Sequence, residues 1–310
     1  MTIDAHDPTF AGKPIADWEP GRPVPPPRTA AVRLALDWDQ SQEGETMPGR
    51  IRALAALPEA RELEALVIGP WDFESSTDSS EIVSTLAQAS GAFQRLAAVF
   101  LGDITFDEQE ISWIQQSDVS PILAAYPRLE ELRVRGGTNL ALESPDHGAL
   151  RKLVIETGGL PASVARAVAR AELPALRHLE LWLGSDGYGG DARVEDLAPI
   201  LEGTRLPSLR TLGLRDAEIA DLVAAAVVRA PVLSRIRVLD LSLGTLSDAG
   251  GAHLVASPGI AALERLDLHH HYLSPELQAR LSALKPVVVD LSDAKFGTEE
   301  EGDRYCAVSE

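Results

Sequence analysis

The chain has 310 residues, 45% of them hydrophobic, and a formal net charge of −19, which is enough apolar content for one solenoid or two ordinary domains. Lysine occurs only at 13, 152, 285 and 295 and no basic cluster stands out along the chain, so the counterion-displacing face of a nucleic-acid binder is not expected and the acidity favours basic protein partners. A single cysteine, Cys306, excludes an internal disulfide. The opening MTIDAHDPTF lacks an apolar signal core and no apolar run approaches a membrane span, which together point to the cytoplasm.

In chain order, residues 1–30 carry prolines at 8, 14, 20, 23, 25, 26 and 27. Proline lacks the amide proton that helices and central strands need. This segment is therefore expected as a loosely ordered arm, or as a cap whose Phe10, Ile15 and Trp18 cover the first strand. Val32, Leu34, Leu36 and Trp38 then alternate at the period of a half-buried strand, an atypical first strand of the kind a stacked array needs at its end.

From there one phrase recurs, clearest as IRVLDLSLGTL at 236–246 and LERLDLHHHYL at 263–273. Its copies begin at Leu63, Leu96, Leu129, Leu150, Leu176, Leu209, Ile236, Leu263 and Pro286, at intervals of 33, 33, 21, 26, 33, 27, 27 and 23 residues. An interval in the mid-twenties holds a strand, a turn, a helix and a return loop. Helices are predicted over 163–171 and 221–229. Ser274 and Pro275 supply the N-cap and first position of another. Asp78 with Glu81 suggests a capping box, and Ser120-Pro121 opens a further short helix.

The L-x-x-L-x-L phrase is the signature of a leucine-rich repeat. Over about residues 60–296 the sequence resembles the ribonuclease-inhibitor-like class of these proteins, whose repeats alternate strand and helix. The resemblance implies an α/β solenoid, a horseshoe with a parallel sheet on the concave face and helices outside. Residues 31–296 would form that solenoid, between the arm or cap at 1–30 and an acidic C-terminal tail or cap at 297–310. EISWIQQSD at 110–118, ELWLGSDGYGGD at 180–191, LDLHHHYLS at 266–274 and RYCAVSE at 304–310 are similar to a bacterial, chiefly actinobacterial, family of leucine-rich repeat proteins. That second resemblance implies a cytoplasmic bacterial protein and transfers no catalytic residue.

Side chains alternate along a strand, so positions 4 and 6 of the phrase face the core and positions 3, 5 and 7 the concave surface, with equal positions stacked about 4.8 Å apart. Position 5 reads Val67, Phe100, Arg133, Val154, Glu180, Gly213, Asp240, Asp267, Asp290. Position 7 reads Gly69, Gly102, Arg135, Glu156, Trp182, Arg215, Ser242, His269, Ser292. Three aspartates in a row close the first column. Carboxylates about 5 Å apart repel by roughly 1 kcal/mol in water, and only Arg265 offers relief. Asp267→Asn is therefore expected to leave the free protein as stable or slightly more so, and to weaken a partner complex. The alternative is that the aspartates are solvated scaffold.

His269, His270 and His271 raise a second possibility, a metal-dependent protein or enzyme centred on Asp240, Asp267, His269 and Asp290. Consecutive histidines at a strand end cannot all face one ion, so no metal is expected. The extra residues of the long repeats fall after the strands, at 71–80, 106–118 and 185–191, and should share one rim with the histidines. They bring Trp71, Phe73, Trp113, Tyr188 and Tyr272, with Trp182 on the adjoining face. These aromatics are either interface anchors or local cover. No G-x-G-x-x-G, P-loop, G-x-S-x-G, H-E-x-x-H or C-x-x-C occurs, so no cofactor and no catalytic residue is expected. The sequence points to a non-catalytic interaction module or scaffold that binds a basic protein through Asp240, Asp267, Asp290, His269, Glu180, Trp182, Tyr188, Trp71 and Trp113. A structural subunit of a larger complex is the third possibility.

Overall fold

The computed structural model describes residues 3–74, 76–143, 146–295 and 304–308. Most of the acidic tail expected at 297–310 lies outside the described residues. The strands are β1 (Thr9–Phe10), β2 (Lys13–Asp17), β3 (Ala31–Leu34), β4 (Ala65–Ile68), β5 (Ala98–Leu101), β6 (Glu131–Arg135), β7 (Lys152–Glu156), β8 (His178–Gly184), β9 (Thr211–Ala217), β10 (Val238–Asp240), β11 (Arg265–Asp267) and β12 (Val288–Asp290). The helices are α1 (Trp38–Gln42), α2 (Met47–Ala55), α3 (Ser80–Gln88), α4 (Ser120–Ala125), α5 (Ala162–Arg170), α6 (Val194–Glu202), α7 (Ala220–Val227), α8 (Asp248–Ala256), α9 (Pro258–Ala261) and α10 (Pro275–Ser282).

All twelve strands join one sheet in chain order. β1 and β2 pair antiparallel, and every later pair is parallel. The protein is a leucine-rich repeat solenoid. Its register follows the repeat phrase: Val67, Phe100, Arg133, Val154, Glu180, Gly213, Asp240, Asp267 and Asp290 are Cα partners in one unbroken column. Flanking leucines such as Leu239 and Leu266 are fully buried between the sheet and the helices.

Local sequence explains the helices. In α5 the small and β-branched residues Val164, Ala165, Val168 and Ala169 form the buried stripe, at the i, i+1, i+4, i+5 spacing of one helix face. α10 starts where Ser274 accepts from the Leu277 amide and Pro275 takes the first helical position. The 21-residue interval from Leu129 to Leu150 is too short for a helix, and none occurs among its described residues.

Three expectations are corrected. Pro14 lies in β2, with a strand on each side. It sits one residue before the parallel pairing with β3 begins at Ile15, so its missing amide breaks no ladder bond there. Trp38 does not continue the first strand but opens α1, because Asp37 and Gln40 form a reciprocal capping box ahead of it. Asp78 does not cap with Glu81; its carboxylate accepts from the Ser80 amide, while Ser79 takes the cap position of α3.

Leu239 is enclosed by its neighbours on both adjoining strands. Leu239→Ala should lower unfolding stability by about 2–5 kcal/mol, read by denaturant titration.

Candidate binding face

The concave face divides into a covered and an uncovered half. Over the N-terminal strands, the chain's own first residues lie on the sheet. Phe10 packs against Phe100 with ring centroids 5.7 Å apart, inside a small apolar cluster with Ala31, Ala65, Val67 and Ala98. The Arg133 and Arg135 guanidinia sit 4.3 and 5.1 Å from the Phe100 ring. Glu156 accepts from both arginines, at 2.7 Å each. Asp7 pairs with Arg133, Asp17 lies 3.1 Å from Arg33, and Arg33 donates to the buried Asp103 at 2.8 Å. His6 stands 3.2 Å from Asp103. Each of these charged groups has a partner of opposite sign within the chain, and the apolar ground of this half is filled by Phe10.

Over the C-terminal strands no such cover is present among the described residues. The surface there is built from position 5 of the repeats, flanked by positions 3 and 7. Gly213 interrupts the acidic column between Glu180 and Asp240, and a Cβ at Gly213 would meet the Glu180 side chain at 3.0 Å. Arg215 serves both sides of that gap. Its Nη1 donates to Glu180 at 2.7 Å, its Nε lies 3.3 Å from Asp240, and its guanidinium stacks 4.9 Å from the Trp182 ring centre. Further along, Arg265 bridges Asp267 at 2.8 Å and Asp290 at 2.9 Å. His269 Nδ1 stands 2.7 Å from Asp267, and the Ser292 hydroxyl donates to Asp290 at 2.8 Å.

The aspartates are thus not the unpaired row expected from the sequence, and their titration separates them. For Asp267, burial would raise the pKa, but the His269 and Arg265 bonds outweigh it and hold the carboxyl well below the usual range. Glu180 is held low in the same way: burial opposes, and His178, Arg215 and the Trp182 indole prevail. The Ser292 bonds lower Asp290. Asp240 alone is pushed up, because burial and the neighbouring Asp267 charge outweigh Arg215 and Ser242.

The three histidines turn to different partners. His269 faces Asp267, His270 Nε2 lies 3.2 Å from the Tyr305 carbonyl, and His271 Nε2 lies 3.2 Å from the Leu291 carbonyl. Among the described residues, no group of three or more His, Cys, Asp or Glu is arranged to hold a metal ion.

The insertions meet along one edge. Ile114 abuts Gly136, Gly137 abuts Gly159, and Gly159 abuts Tyr188, so the 106–118 and 185–191 segments follow one another on the rim at the C-terminal ends of the strands. Gly184, at φ +65°, permits this closeness: a Cβ there would lie 1.9 Å from the Gly158 carbonyl oxygen. Residues 304–308 return across the same rim, where Ala307 donates to the Leu243 carbonyl and Val308 to the buried Asp216 carboxylate. Burial pushes Asp216 up to about 7.

The aromatic residues separate by exposure. Trp113 is 56% and Tyr188 37% exposed. Trp71 is only 7% and Trp182 6% exposed, so neither stands out as an anchor. Trp71 folds inward and donates to the Thr77 carbonyl at 3.1 Å, and Trp182 lies under Arg215 and donates to Glu180 at 2.7 Å. Arg215 stood in the position-7 column, but its two carboxylates lie in different repeats, and only the three-dimensional register shows that it joins them.

No protein-family profile matches the chain, and no curated protein matches it. Among solved structures it is similar to a Bacteroides fragilis protein determined as a structural-genomics target. The likeness has TM-score 0.82 and 30% identity, and spans 90% of this chain and 77% of that one. An internalin from Listeria monocytogenes overlaps more loosely, with TM-score 0.40, 15% identity and coverage of 88% of this chain and 68% of that one.

Because Asp267 is bound by both Arg265 and His269, its removal should cost stability. Asp267→Asn should lower unfolding stability at neutral pH by about 1–2 kcal/mol, the reverse of the effect expected from repulsion alone. A carboxyl with a depressed folded pKa stabilises above its ordinary value of 3.8 and loses that stabilisation as pH falls towards the folded value. The acid limb of the stability curve should therefore flatten in the variant. Thermal unfolding as a function of pH reads both effects.

Proposed function

The chain belongs to the same family as the Bacteroides fragilis protein, and we propose that it is a non-catalytic interaction module binding a basic protein partner through the uncovered half of its concave face. The observation that carries this proposal is the charge imbalance there. Four carboxylates, Glu180, Asp240, Asp267 and Asp290, share two guanidinia, Arg215 and Arg265. Asp240, the one whose carboxyl is pushed up, is the member that gains most from an incoming lysine or arginine, because a nearby positive charge favours its ionised form. Trp113 and Tyr188 on the rim, both open to solvent, supply apolar contact beside the charged floor.

We infer three further points about setting. The alternation of strand and helix supports the ribonuclease-inhibitor-like type. The lone, buried thiol of Cys306 fits a reducing cytoplasm, and no helix among the described residues is long and apolar enough to cross a membrane. Residues 1–30 act as an N-terminal cap, supported by the pairing of β2 with β3. Residues 304–308 act as a C-terminal one, supported by their docking on the rim.

The test has two stages. A partner is captured from the native organism on the wild-type protein, purified and titrated against wild type and Asp240→Asn/Asp290→Asn. Affinity should fall by roughly tenfold or more at low salt, and the difference should shrink as salt screens the charges. Equal affinity at low salt, or amide-exchange protection confined to surfaces away from 238–242, 265–269 and 288–292, would overturn the proposal.

A further inference from the structure

A second charged column runs along the opposite edge of the sheet, where the strands begin. Position 2 of the repeats precedes each strand, and its residues are joined by a continuous run of backbone bonds. Glu130 donates to Ala97 at 2.7 Å, Arg151 to Glu130 at 2.7 Å, Arg177 to Arg151 at 2.8 Å, Arg210 to Arg177 at 2.9 Å, Arg237 to Arg210 at 2.7 Å and Glu264 to Arg237 at 2.8 Å. Four arginines from successive repeats therefore stand side by side over about 14 Å. All four are exposed.

The two ends of this column are neutralised and its middle is not. Arg151 pairs with Glu130 at 3.2 Å, and Arg237 with Glu264 at 3.1 Å. Among the described residues Arg177 has no carboxylate partner, and Arg210 donates only to the neighbouring Leu209 carbonyl at 2.8 Å. In a chain of net charge −19, carboxylates are plentiful, yet none among the described residues is placed against this pair. Two arginines on neighbouring strands, with backbones about 5 Å apart, both gain from an external anion placed between them.

We propose that Arg177 and Arg210 form a docking site for an acidic segment of a partner protein. An extended segment presents alternate side chains on one side, about 6.6 Å apart, and the flexible arginine stems can close the difference from the strand spacing. Guanidinium forks take carboxylates in pairs of parallel hydrogen bonds. Glu130 and Glu264 limit the free positive run to the two central residues. A nucleic-acid backbone fits less well, since its phosphates would run on over those glutamates and into the field of a strongly acidic protein. This edge lies at the other end of the strands from the aromatic rim and apart from the concave carboxylates, so the two surfaces can fail or succeed separately.

The experiment is fluorescence anisotropy with a short labelled peptide alternating glutamate and serine. A glutamine–serine peptide and a single-stranded oligouridylate serve as comparison probes. The acidic peptide should bind at low salt and the neutral one should not. Arg177→Glu/Arg210→Glu should weaken binding by roughly tenfold or more, with the unfolding temperature retained because both side chains are exposed. Arg170→Glu/Arg280→Glu, an equal charge change on exposed helix positions, should leave binding within about twofold, the scale of a change in the general field at moderate salt. Three results would each overturn the assignment: no binding of the acidic peptide by the wild type, equal losses in the two double variants, or tighter binding of the oligonucleotide through the same arginines.

Discussion

Everything on this protein's surface depends on in-register parallel stacking. Buried aliphatic residues at two positions of the repeats, from Leu66 and Ile68 to Leu266 and Leu268, pack the strands against the layer behind the sheet, and a slip of one residue would turn each apolar pair to solvent. Fixing the register in this way fixes every other position as well. A residue type repeated at one position becomes a column about 4.8 Å in pitch, whatever the intervals between the repeats. The protein is therefore a set of parallel rows, and its chemistry lies in which rows are charged.

Rows of like charge are costly to keep, and the chain answers with arginines that reach across repeats as well as within them. Arg215 reaches from β9 to Glu180 on β8 and Asp240 on β10, and Arg265 reaches from β11 to Asp290 on β12. Gly213 makes the first of these bridges possible, since a side chain at that point would crowd Glu180. At the N-terminal half the solution differs. There the first residues of the chain bring Asp7, Asp17 and Phe10 onto Arg133, Arg33 and Phe100. One end of the face is covered by the chain itself, and the other carries its four carboxylates and two arginines with no such cover among the described residues.

The sequence disclosed the architecture and the columns because both follow from a single period. The acidic column at Asp240, Asp267 and Asp290 and the buried leucines lie where the phrase puts them. Exposure was less legible. Trp71 and Trp182 looked like anchors, but whether an indole points outward depends on a loop folding back, or on an arginine from the next repeat. The covered half was hidden for the same reason, as a proline-rich arm gives no local sign of where it docks. The arginine row was also missed. Its members are separated by 26, 33 and 27 residues, so no window along the chain contains a cluster.

Charge counting along a sequence thus misleads for a solenoid in both directions. Three aspartates that look mutually repulsive hold Arg215, Arg265 and His269 between them, and Asp267 is more readily ionised than a free carboxyl. Four arginines that look scattered form a row whose two central members lack an acidic neighbour among the described residues. The unit that matters is the residue and its equivalents one repeat before and one after, because the nearest charges lie across strands at about 5 Å. By that measure Asp240, pushed up beside Asp267 on the concave face, and the Arg177–Arg210 pair on the strand-start edge stand out. They lie on different surfaces, so an acidic and a basic partner group would meet the chain at separate places.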